Sequence, residues 1–584
     1  MSRLSVLLAL LVAAPAAAQF GNSGNDSGKP LHPEQAAFDV STYALDLAIS
    51  PEARTIEGSL TMSARTVAPT THIRLDLDDA LTASGVVAPV CILLDGIENC
   101  GEGSDQPLTW ERLPGQVRIA LGRTFQPGEA ILVRVDYGGS PRVAPRPPWD
   151  GGFSWEQTAS GEPWVAVSCQ GEGADLWWPT KDHPSDEADS MTIRLTAPEA
   201  LRAISNGQHV GREVNGDGTA SETWMVTTPI NNYGVSFGVG PYVEVTDTYS
   251  SPLGYTMPVT FYVLPERRAD AEKQLPGFLD AVGFMERTFG PYGSREDGYH
   301  VLHTPYLGME HQSLIAYGST FEDNAYGFDW LHFHELAHEW FANLGTAPDW
   351  RDFWVHESFA NYAEALYAED IARRETGNEA LAREAYLGYI AGVRGNLRNV
   401  QPVAPREPRT TSQMYNLPDG GFNGDIYFKG SWFLHTLRFA MADDPAFFRA
   451  LGTILYPQGT EAALAAGDPA ADFRWVSTED VVATFQQETA IDLRPLAEVY
   501  LRQPSLPVLH MERRGNDGYA FRWELPEGAL PDGMTFDLPV PTSHGMIPMP
   551  GGAGAMGLPS SEVRVDTTVA LFEMAEDEDA EAAE

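Results

Sequence analysis

The chain has 584 residues, 43% of them hydrophobic and 10% aromatic, which is enough apolar material for about three or four packed domains and excludes a disordered or fibrous protein. Its formal net charge is −43, from 38 basic and 81 acidic residues, which excludes a broadly nucleic-acid-binding surface. Beyond the extreme N-terminus there is no long apolar run, so no membrane span is expected in the mature chain.

Residues 1–18 read MSRLSVLLALLVAAPAAA. Arg3 supplies a positive start, Leu4 to Ala14 an apolar core, and Ala16, Ala17 and Ala18 a small-residue cleavage site before Gln19. This pattern predicts an export signal and a secreted or periplasmic protein. Residues 19–35 are rich in Gly, Asn, Ser and Pro and are expected to form a flexible leader. Cys91 and Cys100 flank a hairpin turn signal at Asp95-Gly96, so the two can face each other, and export permits a disulfide. Cys169 reads as a buried apolar residue.

From Tyr43 onward, segments such as YALDLAI, HIRLDLD and ILVRVDY alternate apolar and polar residues, the period of half-buried strands. An all-β region is predicted over 36–243. Helical spacing follows Pro265 and dominates from Asp329 to about Leu501, giving a mainly helical region over 244–503. Strand-like text returns in 504–572 and predicts a small β domain. Residues 573–584 read as an acidic disordered tail. Lysine occurs only at Lys29, Lys181, Lys273 and Lys429. A surface adapted to high salt, or an acidic protein from a GC-rich genome, both account for this composition.

The run WLHFHELAHEWFANLG, from Trp330 to Gly345, contains His334-Glu335-Leu336-Ala337-His338. On a helix, positions i and i+4 share a face, so both imidazoles can reach one ion, with Glu335 beside them. Gly345 can end this helix. Glu357 follows His338 by nineteen positions, near the start of a second helical segment. Two antiparallel helices on a short loop would return it to the His pair. Two His and one Glu leave a fourth metal position open, as in a catalytic rather than a structural zinc site. Glu339 is expected behind the site or on the surface, and His332 and His356 are expected to be packing residues.

These residues resemble the zinc aminopeptidases of the aminopeptidase N type, the gluzincins of peptidase family M1. HELAHEWFANL and WVHESFANYAEALY carry the resemblance, with LGMEHQSLIAYG from Leu307, IYFKGSWFLHTLR from Ile426 and SCQGEGADLWWPTKDHPSDEAD from Ser168. The match runs from about Tyr43 to Pro507. It implies an α+β multidomain fold: an N-terminal β saddle, a thermolysin-like catalytic domain and a small C-terminal β-sandwich. It implies one Zn2+ per chain on His334, His338 and Glu357, with Glu335 as general base and Tyr427 stabilising the oxyanion. Glu310 then binds the substrate's free α-amine, Gln170 takes the place of a second amine-binding group, and backbone groups of Gly308 and Met309 hold the peptide extended. The implied partners are peptides with a free N-terminal amine.

Two departures stand out. His311 replaces the usual Asn after Glu310, and Gln170 brings no negative charge. Gln170 leaves open a leukotriene-hydrolase-like branch that adds epoxide hydrolysis. A thermolysin-like endopeptidase and a non-catalytic binding module are the other readings. The amine anchor in GMEH argues against the first, and the intact His, Glu and Tyr set against the second. The resemblance also leads us to expect no large helical C-terminal domain, and hence a more open site that admits longer peptides.

Overall fold

The computed structural model of the chain describes residues 26–575, apart from 89–90, 95–96, 101–104 and 560. The predicted export signal and most of the acidic tail lie outside the described residues. Apolar–polar alternation builds the first layer. In Phe38–Ser50, Phe38, Val40, Tyr43, Leu45, Leu47 and Ile49 are buried while the residues between face outward. The alternation slips once, between Val40 and Tyr43, where a bulge against Thr55–Thr66 adds a residue. The strand sits inside an eight-stranded sheet. Its order is Gln208–Val214, Thr219–Val226, Ser190–Pro198, Phe38–Ser50, Thr55–Thr66, Ala130–Gly139, Leu81–Ala88 and Gln106–Pro107. Only the central pair of Phe38–Ser50 with Ser190–Pro198 is parallel. Each fully buried Leu, Ile or Val contributes about 1.5–3 kcal/mol, and this sheet buries many of them in one core. Cys91–Leu94 pairs antiparallel with Ile97–Cys100, with Cys91 directly opposite Cys100 in the backbone register.

The leader is docked earlier than expected. From Asp26 the chain lies against the body, and a short helix, α1 (Pro33–Ala36), starts at the end of the stretch read as flexible. Composition failed here because the docking is polar: His32 caps α1, and Glu34 pairs with Arg74 and Arg118. The first residues read as tail are also part of the fold. Glu573–Met574 pairs in parallel with Val508–Leu509, so a backbone ladder overrides the acidic composition.

A five-stranded sheet opens the helical region, ordered Val243–Ser250, Thr256–Val263, Tyr299–His303, Leu314–Tyr317, Gly308–Met309. Gly308–Met309 is its edge strand, antiparallel to Leu314–Tyr317. The helices of this region include α2 (Arg268–Phe289), α3 (Trp330–Ala337), α4 (Trp354–Thr376), α5 (Glu379–Arg394), α6 (Thr411–Tyr415) and α7 (Phe428–Met441). All but α6 share one core with the C-terminal β region, and α6 packs in a smaller cluster with Trp350 and Phe353. That region holds a four-stranded sheet ordered Ala553–Met556, Tyr519–Glu524, Val508–Arg513, Glu573–Met574. The chain is thus a multidomain α+β protein with an N-terminal β-rich domain and a helical region behind it. Among the described residues, no helix is long and apolar enough to cross a membrane.

Candidate active site

Helix α3 starts at Asp329, whose carboxylate accepts from the His332 amide at 3.0 Å. Regular α-helix stops at Ala337, earlier than the Gly345 end read from sequence. A wider turn over Glu339–Leu344 follows, with Phe341 and Ala342 out of helical geometry. This break turns the Phe341 carbonyl toward His338, whose Nδ1 donates to it at 3.1 Å. His334 Nδ1 donates to Glu364 at 2.7 Å. Glu364 is itself fixed by Asn361 at 3.2 Å and by the Tyr389 hydroxyl. Both imidazoles therefore spend Nδ1 on a fixed acceptor and present Nε2 to the same space.

Glu357 lies in the first turn of α4, where the helix dipole favours a carboxylate. Its Oε2 is 3.4 Å from Nε2 of His334 and 3.4 Å from Nε2 of His338, and those two nitrogens are 3.3 Å apart. Glu357 Oε2 has no hydrogen-bond partner. Three donors of a tetrahedral zinc with bonds of about 2.0–2.1 Å lie about 3.3–3.4 Å apart, so this triangle fits that ion. Two imidazole lone pairs and a buried carboxylate oxygen facing one another are unfavourable without a cation between them. Burial alone would raise the Glu357 carboxyl, but the nearness of His334 and His338 outweighs it and holds it well below the usual range.

Glu335 and Glu310 complete the buried cluster, with ligand atoms within 4.8 Å of each other and of His338. Burial pushes the Glu335 carboxyl up to about 8, opposed by His334. Burial also raises Glu310, opposed by His338. Gln170 comes from the N-terminal domain. Its amide donates to Glu310 at 3.1 and 3.4 Å and reaches Glu357 Oε1 at 3.5 Å. A Cβ on Gly308 would fall 2.5 Å from Glu335 Oε1 and 2.6 Å from Leu331 Cδ1. Only glycine lets the edge strand lie this close to α3.

Tyr427 caps α7, and its hydroxyl donates to Glu357 Oε1 at 2.8 Å. Burial, with Glu357 beside it, raises its pKa far above the ordinary phenol, so it stays a neutral donor. The two residues after Phe428 explain the rest of this motif. Lys429 donates to the carbonyls of Gln503 and Pro504 at 2.9 and 2.6 Å. A Cβ on Gly430 would lie 2.0 Å from Ser358 Oγ, so glycine lets α7 cross α4 closely. Tyr427 is thereby set over the start of α4.

The flanking residues behave as packing groups. His332 stacks on Phe278 at 3.5 Å between ring centres and meets the Tyr299 hydroxyl. His356 Nε2 accepts from the Ala347 amide at 2.9 Å. Glu339 is buried behind the site and accepts from the Ser313 amide at 2.7 Å, bracing the turn after Glu310. Cys169 is buried, and burial raises its thiol out of the reactive range. His311 is also buried, which lowers it to about 3 and keeps the imidazole neutral.

Sequence reading missed Glu364 and Tyr415. Glu364 stands two helical turns after Glu357 on α4, and i, i+7 spacing from a proposed ligand was the available signal. Tyr415 on α6 donates to Glu357 Oε1 at 3.2 Å, and nothing local to its sequence marks it.

The N-terminal β-rich domain, the five-stranded sheet with Gly308–Met309 at its edge and the His-His-Glu triangle together have the arrangement of a metallopeptidase. The Peptidase M1 N-terminal domain matches residues 40–233, and the Peptidase family M1 domain matches residues 309–465. The chain belongs to peptidase family M1. Glutamyl aminopeptidase of Homo sapiens is 25% identical over 365 residues, covering 59% of this chain and 35% of that protein. Leucine aminopeptidase 2 of Vanderwaltozyma polyspora is 29% identical over 290 residues, covering 47% and 40%. The chain thus spans well under half the length of these curated relatives. An M1 zinc metallopeptidase from Deinococcus radiodurans, solved as a mutant bound to a Tyr-Ser-Ala substrate, superposes with a TM-score of 0.61 at 22% identity, covering 82% of this chain and 96% of that one.

Proposed function

We propose that this protein is a zinc aminopeptidase that hydrolyses the N-terminal bond of peptides. The observation that carries the reading is the place of Glu310: a buried carboxylate within 4.8 Å of Glu335 and of the ligand His338. A carboxylate there pairs with an α-ammonium by charge-assisted hydrogen bonds, and only a chain end offers that cation. His334, His338 and Glu357 hold one zinc. When bound, it supplies a Lewis acid that polarises a carbonyl and makes water nucleophilic near neutral pH.

The chain's own groups do the rest. Glu335 takes a proton from the attacking water and returns it to the leaving amine. The Tyr427 hydroxyl donates to the oxygen on which charge develops. Gly308 and Met309, on the free edge of the sheet, hold the peptide backbone extended. Gln170 orients Glu310 and adds a neutral polar contact to the amine site. We take residues 1–18 as an export signal, so the substrates are peptides outside the cytoplasm.

The test is digestion of one peptide, free and N-acetylated, by zinc-loaded protein, followed by mass spectrometry. Stepwise shortening of the free peptide alone is expected, and Glu310→Ala should remove it. Internal cuts in both peptides would make the enzyme an endopeptidase and overturn the role of Glu310.

A further inference from the structure

Glu357 Oε1 receives two phenol hydroxyls, from Tyr427 at 2.8 Å and from Tyr415 at 3.2 Å, and the two phenol oxygens are 3.3 Å apart. Each phenol has one proton. While Tyr427 donates to Glu357, it has none left for a substrate oxygen. To serve a developing oxyanion it must turn its O–H away from Glu357. Only the Gln170 amide, at 3.5 Å, would otherwise remain on that oxygen, and a buried carboxylate oxygen so weakly held would raise the barrier. Tyr415 aims at the same oxygen. We propose that Tyr415 is a positioning residue of the reaction centre: it keeps Glu357 Oε1 hydrogen-bonded when Tyr427 turns to the substrate, and so holds Oε2 toward the His pair.

The surroundings of Tyr415 fit this task. It is fully buried and packs edge-on against Phe353, with ring centres 5.1 Å apart. Its helix, α6, has only five residues and is held from the far end of the chain. Asp26 accepts from the Ser412 amide at 3.0 Å and from the Ser412 hydroxyl at 2.5 Å. The Ser27 carbonyl accepts from the Thr411 amide at 3.1 Å and from its hydroxyl at 3.2 Å. Ser27 Oγ accepts from Trp350 Nε1 at 3.3 Å and donates to Asp182 at 3.2 Å. The segment at 26–27 is thus a strap tying α6 to both the N-terminal domain and the loop before α4. A helix of this length does not hold a side chain in place unaided.

The test is Tyr415→Phe, which keeps the ring and removes the hydroxyl. Zinc affinity, read by competition with a chelator, is expected to fall about ten-fold. This arm does not depend on the protein being an aminopeptidase. The second arm rests on the proposed function: kcat on a dipeptide anilide is expected to fall about ten-fold with KM nearly unchanged. In a Tyr427→Phe background, the same substitution should cost kcat nothing more, because no hydroxyl remains to be released. Unchanged zinc affinity and kcat in Tyr415→Phe would overturn the proposal. So would a ten-fold loss that adds in full to that of Tyr427→Phe. If Tyr415→Phe does not fold, Asp26→Ala carries the test from outside the site. Loosening α6 should lower kcat several-fold at constant KM, and an unchanged kcat would refute the link.

Discussion

In the eight-stranded sheet the buried side chains are mostly apolar, among them Leu45, Leu47, Leu60, Met62, Val133 and Val135; around α3 and α4 they include His334, Glu335, His338, Glu357 and Glu364. The sheet's core can exchange one apolar group for another of like volume and keep its contacts. The helical core cannot, because buried polar groups there answer particular partners, as Glu364 does His334 and Glu357 does Tyr427. One region supplies stability and the other spends some of it. The three inward-facing donors on α3 and α4 are poorly matched to each other and well matched to a cation.

This contrast can be broken by substitutions that separate activity from folding. Glu335→Gln should cost the largest factor, about 10²–10⁴-fold in kcat, with zinc content and thermal unfolding little changed. A variant that also lost zinc would make Glu335 structural. Leu60→Ala, at a fully buried position of the sheet, should cost about 2–5 kcal/mol in denaturant unfolding while its folded fraction binds zinc normally. Altered zinc affinity in that folded fraction would mean the two regions are not independent.

Smaller effects sharpen the contrast. Glu364→Gln should weaken zinc binding about 10–100-fold, because the carboxylate that fixes the His334 tautomer becomes an amide. An unchanged affinity would show that α3 alone orients His334. Lys429→Met should cost about 1–3 kcal/mol by leaving two carbonyls without a donor. Burial, opposed by Asp425, lowers Lys429 from 10.5 to about 8. Between these values the unfolded chain holds a proton that the folded chain has lost, so the wild type gains stability as pH rises through that window. The Met variant should lack this gain, and parallel pH curves would remove the assignment. Arg194→Ala should change stability by less than about 0.5 kcal/mol, since its pair with Asp46 at 3.2 Å is exposed.

The alternation in Phe38–Ser50 was legible because its period is local, and so was His334-Glu335-x-x-His338, whose geometry one helix imposes. Glu357 was legible because a short connection could only bring it back alongside. The backbone facing of Cys91 and Cys100 followed from the turn between them. Glu364 and Tyr415 were not legible: an inward Glu on a helix and a Tyr before a loop look like ordinary core residues until their partners are placed. The docking of Asp26 and Ser27 was misread because Gly and Ser content signals local freedom. It says nothing of a partner 386 residues away.

That separation sets an order of events. At about 5–20 residues per second, the ribosome needs roughly 20–80 s to make Ser412 after Asp26. For all that time the strap lacks its grip on α6, although Asp182 and Trp350 are made before it. Tyr415 and Tyr427 also emerge after His334, His338 and Glu357. The growing chain therefore holds His334, His338 and Glu357 before it holds the two hydroxyls that bond Glu357.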